Sequence, residues 1–278
     1  MPRLAFACIL AGSAAAIGAP GDGATPESDR EALLARYRAA FPQVAPADYV
    51  FGALAFSPDA RRQYDSFMDF PPFLGTIDRG KVLWERPFRN GRTFSDCFPN
   101  AGRGAAATYP RYEAATDRIV TFETALDDCL VANGETPLDR RDMATMGVLT
   151  AYARTLSNGM PMSVEVQGER ALAKYRAGRD HFFRRRPPLD FSCAACHVEY
   201  AGRILRTEYL SPAIGQAVHW PVFRGGDVLY TLQARYKRCL EQIRVTRPAI
   251  GSDEFDELEY FHSAISNGLP LEASVYRK

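Results

Sequence analysis

Residues 193–197 read Cys-Ala-Ala-Cys-His and constrain this chain more than any other stretch of its sequence. Their spacing, C-x-x-C-H, is the one that covalent attachment of a c-type haem requires. Two thiols so close together on a turn entering a helix can each add to one vinyl group of a single porphyrin, and the following histidine is carried under the ring as an iron ligand. We therefore interpret Cys193 and Cys196 as thioether anchors and His197 as the proximal ligand.

Two simpler interpretations of the motif are a redox-active pair of cysteines and one half of a structural zinc site. A zinc site needs a second pair of closely spaced ligands, and neither Cys97 nor Cys129 has a second ligand beside it. With only six cysteines and four histidines in 278 residues, a chance C-x-x-C-H is rare, so the motif favours haem.

The first residues resemble a secretory signal peptide, which we place at residues 1–23. The apolar run at 4–16 is too short to span a bilayer and is followed by small residues. Cleavage after Ala16 or Ala19 would remove Cys8. Export and covalent haem together indicate a bacterial periplasm. No later segment predicts a membrane span, and a net charge of +1 gives no reason to expect binding to nucleic acid.

Three landmarks occur twice in the same order and indicate an internal duplication. They are an aromatic-proline pair, an apolar stripe with helical spacing that ends in Cys-Leu, and a helix stop of the form Ser-Asn-Gly-x-Pro. The aromatic-proline pairs are Tyr109-Pro110 and Trp220-Pro221, and the helix stops are Ser157–Pro161 and Ser266–Pro270. The first apolar stripe consists of Ile119, Phe122, Leu126, Cys129 and Leu130, and the second of Leu229, Leu232, Tyr236, Cys239 and Leu240. The sequence thus predicts two helical modules, at 50–165 and 166–278.

The predicted fold is mainly α, with two modules in the order of a class I cytochrome c, and only the second module carries haem. That module would open with a helix at 169–183, where Gly178 allows close approach of another helix, and close with one at 252–266, capped by Ser252. Residues 24–49 form a lead segment with an amphipathic helix near 27–42. Residues 43–90 are rich in Pro, Gly and Phe and are expected to be loops.

The first module has Phe94-Ser95-Asp96-Cys97 where the second has Phe191-Ser192-Cys193, and it lacks a C-x-x-C-H. Once two cysteines are assigned to haem, Cys97, Cys129 and Cys239 remain in the exported chain. In an oxidising compartment two of these should pair. The simplest pairing is a disulfide between Cys97 and Cys129 in the haem-less module, which leaves Cys239 as a free thiol. The alternative is a pair of free, buried cysteines.

The sixth ligand of the iron has three candidates, because no methionine follows His197. They are His219, which lies in a loop, His262, which we interpret as a core histidine, and Cys239. The case for Cys239 is the strongest, since it is unpaired by count and lies on the inward stripe of its helix. His181 lies among arginines, and we expect it to be exposed.

Positive charge distinguishes the second Cys-Leu helix from the first. The second has Arg235, Lys237 and Arg238 where the first has Ala125, Asp127 and Asp128. Arg235 is one helical turn before Cys239, so its guanidinium can favour the thiolate and bind a small oxyanion. We expect Lys237 and Arg238 to be solvated. The pattern indicates a nucleophilic sulfur beside an electron acceptor, in a pocket that attracts anions.

These residues resemble the A-subunit family of the sulfur-oxidising (Sox) cytochrome complex, SoxAX, whose activity is that of an L-cysteine S-thiosulfotransferase. The resemblance covers nearly the whole exported chain. The segments that carry it are Phe191–His197, Gly202–Arg206, Trp220-Pro221, Arg235–Cys239 and the two Asn-Gly-Met/Leu-Pro endings. The haem motif alone is generic, whereas its combination with Arg235 and Cys239 is specific to the family.

The resemblance implies one covalent haem c, with His197 and Cys239 as axial ligands and Cys239 as the active-site sulfur, carried as a persulfide. It implies that Arg235 binds substrate, and that thiosulfate is joined oxidatively to a cysteine of a sulfur-carrier protein, SoxYZ. A small monohaem cytochrome, SoxX, would complete a heterodimer. The chain is similar to the single-haem members, in which a disulfide, here Cys97 to Cys129, stands in the first module.

Two other functions are compatible with the haem motif. One is a simple electron-transfer cytochrome in which Cys239 is only an axial ligand, and the other is a haem-based sensor or binding module. An electron carrier has no need of Arg235 beside its ligand and usually takes methionine there. The residue pattern therefore favours the enzyme.

Overall fold

The computed structural model describes residues 23–277, so the predicted signal peptide lies almost wholly outside the described residues. The mainly helical fold predicted from sequence is confirmed. The helices are α1 Pro26–Ala40, α2 Pro58–Asp69, α3 Leu74–Glu85, α4 Phe122–Ala132, α5 Val148–Thr155, α6 Glu169–Phe183, α7 Leu232–Gln242 and α8 Asp253–Ala264. The strands are β1 Arg111–Glu113, β2 Arg118–Val120, β3 Ile204–Leu205, β4 Glu208–Tyr209, β5 Val222–Arg224, β6 Val228–Tyr230 and β7 Val275–Tyr276.

Helix α1 lies where the lead helix was predicted and packs against the C-terminal half of the chain. It begins after a capping box at Thr25, whose side chain accepts a hydrogen bond from the Ser28 amide. The Tyr37 hydroxyl donates to the carbonyl oxygen of His197 at 2.6 Å and accepts from the amide of Ala213 at 3.0 Å. The lead helix therefore braces the turn that carries the haem motif.

The expectation of loops over residues 43–90 is wrong. This region contains a 3₁₀ segment at Pro46–Phe56, then α2 and α3. Ser57 caps α2 by accepting from the amide of Ala60 at 3.2 Å, and Pro58 occupies the first helical position, which needs no amide donor. The aromatic side chains of this region show no clear helical periodicity, so the short helices could not be predicted from the sequence. Packing against the rest of the chain stabilises them.

Residues 46–69 contact the C-terminal half as well as the rest of the predicted first module, in which Phe67 packs on Phe73. The Arg277 guanidinium donates to the carbonyl oxygen of Val50 at 3.3 Å. A Cβ on Gly215 would lie 2.0 Å from the carbonyl oxygen of Tyr49, so only glycine allows that approach. The C-terminal strand β7 is part of the same half, since it pairs in parallel with β5.

Each half of the chain contains two helices that cross in contact at a glycine. In the C-terminal half α6 crosses α8, and a Cβ on Gly178 would lie 1.9 Å from the carbonyl oxygen of Glu257. In the N-terminal half α3 crosses α5, and a Cβ on Gly80 would lie 2.3 Å from the carbonyl oxygen of Val148. Gly178 thus permits the close helix approach predicted for it. Gly80 permits a similar approach in α3, a helix that was not predicted from the sequence.

A hairpin leads into the Cys-Leu helix in each half. Strands β1 and β2 precede α4, and β5 and β6 precede α7. Both helices begin at a threonine whose hydroxyl accepts from the amide three residues on, at 3.2 Å for Thr121 and 3.4 Å for Thr231. The aromatic-proline bonds before the hairpins, Tyr109-Pro110 and Trp220-Pro221, are both cis.

The two Ser-Asn-Gly-x-Pro endings bind each other through reciprocal hydrogen bonds. The side-chain oxygen of Asn158 accepts a hydrogen bond from the amide of Ala273 at 2.8 Å, and its side-chain nitrogen donates to the carbonyl oxygen of the same residue at 3.3 Å. The Asn267 side chain makes the same two bonds with Val164, at 2.8 and 2.9 Å. This local two-fold arrangement joins the two halves of the chain at their matching ends.

A buried polar cluster lies between α7 and α8. The Gln233 amide nitrogen donates to Asp256 at 2.7 Å and to Glu259 at 3.1 Å. Burial raises the pKa of Asp256 to about 6 and that of Glu259 to about 8, and the neighbouring carboxylate of Glu123 raises both while Arg154 lowers that of Glu259. Glu259 is therefore protonated in the folded protein at neutral pH.

This cluster makes stability depend on pH. Between the unfolded pKa of 4.5 and the folded pKa of about 8, the folded state keeps a proton on Glu259 that the unfolded chain releases. The contribution is therefore complete below pH 4.5 and is lost as the pH rises to 8. We expect Glu259→Gln to gain roughly 3–4 kcal/mol in unfolding free energy relative to wild type between pH 5 and pH 8. Urea unfolding across that range measures it, with exposed Glu254→Gln on α8 as the control. A constant difference would contradict the assignment.

The α6–α8 crossing predicts a clash. Gly178→Ala places a methyl group against the carbonyl of Glu257, so one helix must shift, and we expect a loss of about 1–3 kcal/mol in unfolding free energy. Gly75→Ala in α3 is the matched control, because a Cβ there meets nothing within 4 Å and alanine favours helix. Thermal unfolding compares the two, and equal melting temperatures would show that the crossing tolerates a side chain.

Candidate haem site

The C-x-x-C-H motif lies on a helical turn that follows α6. The Ser192 hydroxyl caps this turn by accepting from the amide of Ala195 at 3.0 Å. Cys193 and Cys196 are both free thiols and half-buried. Burial raises the pKa of Cys193 to about 12 and also raises that of Cys196, and in each case the nearby Cys239 adds to the effect. The two predicted anchors thus face the space in which Cys239 lies.

The imidazole of His197 is oriented by its surroundings. Its Nδ1 lies 2.9 Å from the carbonyl oxygen of Ser211, which can only accept, so Nδ1 carries the proton. The amide nitrogen of Gln216 also lies 2.7 Å from Nδ1, but since it too can only donate, its hydrogen bond goes to the Ser211 hydroxyl at 2.6 Å. Within residues 23–277, Nε2 makes no hydrogen bond, so its lone pair is available to a metal. This is the arrangement typical of a ligating histidine, whose other ring nitrogen donates to a carbonyl.

Burial lowers the pKa of His197 to about 4, and the charge of Arg235 lowers it further, whereas the bond to Ser211 raises it. The ring is therefore neutral at physiological pH, as a metal ligand must be. The effect of Arg235 also shows that the guanidinium on α7 reaches the neighbourhood of the motif.

Cys239 is free and half-buried on α7. The structure instead joins Cys97 and Cys129 through a disulfide with an S–S distance of 2.03 Å, which leaves Cys239 without a partner. Arg235, one turn before it, is half-buried and forms no hydrogen bond or ion pair with any residue between 23 and 277. Arg238 is exposed and binds Glu241 at 3.1 Å, as expected of a solvated charge.

The remaining histidines lie in three different environments. His262 is buried, its Nδ1 lies 2.8 Å from the Tyr236 hydroxyl, and burial together with His197 lowers its pKa to about 3. His219 is buried beside Gly52 and Arg277, away from the haem motif. The expectation that His181 is exposed is wrong, since the ring is half-buried against Phe255 and burial lowers its pKa to about 4.

Side chains that the sequence did not indicate complete the site. Tyr37 holds the backbone of the motif and Gln216 contacts the imidazole of His197, but both come from segments without a motif. Arg224, at the end of β5, lies near Arg235 and Cys239, whose charges both act on its pKa. The sequence signal that could have indicated Arg224 is its position in the hairpin that precedes α7.

A cluster of aromatic rings lies in the core of the N-terminal half. Trp84 stacks on Phe94 and Phe98 with centroids 5.6 and 5.7 Å apart, and Phe122 packs on Phe98 and Tyr109 at 5.6 and 5.5 Å. All five residues are buried. This half therefore has a continuous core of protein side chains beside its disulfide.

Comparison with known proteins agrees with a cytochrome c fold. The sequence model of the SoxA/TsdA cytochrome c domain matches residues 79–162, which lie in the half without a C-x-x-C-H. The fold, the haem motif and this match define the chain as a c-type cytochrome, whose cofactor is a c-type haem. Two thiols and a neutral imidazole with a free Nε2 fit that group. Within the described residues, no helix is long and apolar enough to cross a membrane.

The similar proteins narrow the class further. The SoxA subunit of L-cysteine S-thiosulfotransferase from Allochromatium vinosum is 38% identical over 97% of this chain and 96% of its own, and that from Chlorobaculum tepidum is 37% identical over 91% and 88%. A chain in the crystal structure of SoxXA from P. pantotrophus superposes with a TM-score of 0.69 at 27% identity, covering 77% of this chain and 84% of that one. The chain belongs to the SoxA family.

The contact between Tyr236 and His262 gives a prediction for this site. Tyr236→Phe removes the hydroxyl that forms a hydrogen bond with a buried ring nitrogen of His262, so we expect a loss of about 1–3 kcal/mol in unfolding free energy at pH 7. Tyr230→Phe is the control, since its half-buried hydroxyl bonds to no described residue. Urea unfolding distinguishes the two variants, and an equal midpoint would show that the hydrogen bond adds nothing.

Proposed function

We propose that this protein is the haem-carrying subunit of a periplasmic L-cysteine S-thiosulfotransferase, which couples thiosulfate oxidatively to a cysteine of a sulfur-carrier protein. The observation that carries the proposal is a free, half-buried Cys239 one helical turn from an unpaired Arg235 and beside the C-x-x-C-H motif. The names of the similar SoxA proteins support the activity. The partners are a small cytochrome subunit of the SoxX type, supported by the SoxXA match, and a SoxYZ-type carrier.

In this proposal Cys193 and Cys196 form the thioethers, and His197 and Cys239 are the axial ligands of one haem c. When bound, the haem supplies an acceptor for electrons. A single haem is supported by the N-terminal half, where Cys97 and Cys129 are bonded to each other and aromatic rings fill the core. That half keeps a cytochrome c-like fold without the cofactor.

The chain's own residues bind and orient the substrate. The Arg235 guanidinium binds the sulfonate oxygens of thiosulfate and directs the outer sulfur towards the sulfur of Cys239, which is carried as a persulfide. Transfer to the carrier cysteine forms one new S–S bond, releases the thiol proton of that cysteine and removes two electrons in total. Sulfur transfer of this kind follows the in-line geometry of thiol-disulfide exchange.

The organisation proposed for the chain is a signal peptide at 1–23, a lead segment at 24–49, a haem-less module at 50–165 and a haem-binding catalytic module at 166–278. The paired glycine crossings, the matched hairpins and the reciprocal Asn158 and Asn267 bonds support duplication of one module. The family match over 79–162 supports a cytochrome c-like origin for the half without haem.

Substitution of Cys239 tests this function against simple electron transfer. In the complex with its small cytochrome subunit, Cys239→Ala should abolish thiosulfate-dependent transfer to the carrier while covalent haem is retained, because the thioethers are untouched. Arg235→Gln should reduce turnover at least roughly tenfold, the magnitude of one charge-assisted hydrogen bond. Arg238→Gln, on the exposed side of α7, is the matched control.

Mass spectrometry of Cys239 provides an independent measurement. After incubation with thiosulfate the peptide containing Cys239 should carry an added sulfur atom that reducing agents remove. If Cys239→Ala retains full turnover, or if no sulfur is found on Cys239, the protein is an electron carrier and the enzyme assignment is wrong.

A further inference from the structure

The hairpin and helix beside Cys239 have opposite charges in the two halves of the chain. The strand pairings make Glu113 of β1 equivalent to Arg224 of β5, since each is the third residue of its strand and pairs with the first residue of the next. Counting from the threonine caps makes Asp128 of α4 equivalent to Arg238 of α7. Two carboxylates in one half thus correspond to two guanidinium groups in the other.

In the N-terminal half the carboxylates of Glu113 and Asp128 form ion pairs with the same arginine. The Arg118 guanidinium lies 3.2 Å from Glu113 and 2.9 Å from Asp128, so a single cation bridges the strand and the helix. The strand end therefore lies against this face of the helix. In the C-terminal half the half-buried cation on that face is Arg235, one turn before the exposed Arg238. The equivalent of Arg118 in the C-terminal half is Val228, which carries no charge.

The cations of the C-terminal half are poorly neutralised. Arg224 pairs with Glu208 at 3.5 Å, and that carboxylate is 46% exposed, which makes the ion pair weak. Arg235 pairs with no residue between 23 and 277. Burial lowers the pKa of Arg224, and Arg235 lowers it further while Cys239 raises it, so both groups lie close to this guanidinium. Of these two half-buried cations near one sulfur, Arg224 thus has only a partly exposed carboxylate as its partner and Arg235 has none among the described residues.

We propose that Arg224 is a second substrate-binding residue, which together with Arg235 binds the sulfonate end of a thiosulfate dianion beside Cys239. This assignment rests on the proposed function and adds the specificity of its anion site. Two guanidinium groups match the two charges of thiosulfate, and each can donate a forked pair of hydrogen bonds to sulfonate oxygens. Glu208 holds Arg224 in place between substrates.

The test uses the haem-loaded complex with its cytochrome subunit. We expect Arg224→Gln to raise the KM for thiosulfate roughly tenfold to a hundredfold, the effect of losing a hydrogen bond between charged groups, with a smaller change in kcat. Arg224→Lys, which keeps the charge but not the fork, should recover part of the loss. Arg238→Gln is the control, because its guanidinium is exposed and pairs with Glu241. Haem content and unfolding midpoint should equal those of wild type in all three variants.

Binding of thiosulfate by isothermal titration separates this proposal from the proposed function. A wild-type complex that binds thiosulfate but shows no turnover would remove the function and leave the anion site, provided that Arg224→Gln weakens binding at least about tenfold. If Arg224→Gln has the affinity and KM of wild type, or if Arg238→Gln loses as much, the assignment of Arg224 is wrong and Arg235 alone binds the anion. A wild-type complex that does not bind thiosulfate would overturn both.

Discussion

The crossing of α6 over α8 at Gly178 is the contact on which the haem site depends. Because a backbone carbonyl of α8 occupies the place of a side chain, the two helices approach more closely than side chains would permit. The C-x-x-C-H turn follows α6 after the loop at 184–192, and α8 places His262 against Tyr236 of α7. The distance between the motif and the helix that carries Cys239 is therefore set by one glycine and by the packing around it.

Distribution of the thiols then determines which chemistry is available. Bonding of Cys97 to Cys129 leaves the sulfur of α7 unpaired, and the matching position on α4 is thereby removed from any reactive role. The N-terminal half contains this disulfide and an aromatic cluster around Trp84, and in the proposed organisation it is a module without haem. It is joined to the C-terminal half through the reciprocal bonds of Asn158 and Asn267.

Two halves with the same backbone pattern have diverged mainly in charge. Where α4 and its hairpin carry acidic residues bridged by Arg118, α7 and its hairpin carry arginines that no carboxylate neutralises well. A half-buried cation without a partner is costly unless a ligand supplies the charge. The N-terminal half thus contains a structural salt bridge at these positions, whereas in our proposal the C-terminal half binds an anion there.

The sequence by itself predicts the haem anchors and the imidazole ligand, and it determined the helices α1, α6, α7 and α8 and the cysteine that the disulfide leaves unpaired. Motif spacing, helical periodicity and the count of cysteines can all be read from the chain without its fold. Only the tertiary structure decided that residues 46–85 are largely helical, that Tyr37 braces the haem turn from far along the chain, and that Arg224 lies near Cys239. These depend on contacts between distant segments, which no local pattern records. Short helices and single polar side chains obtain their position from packing, and packing exists only once the chain has folded.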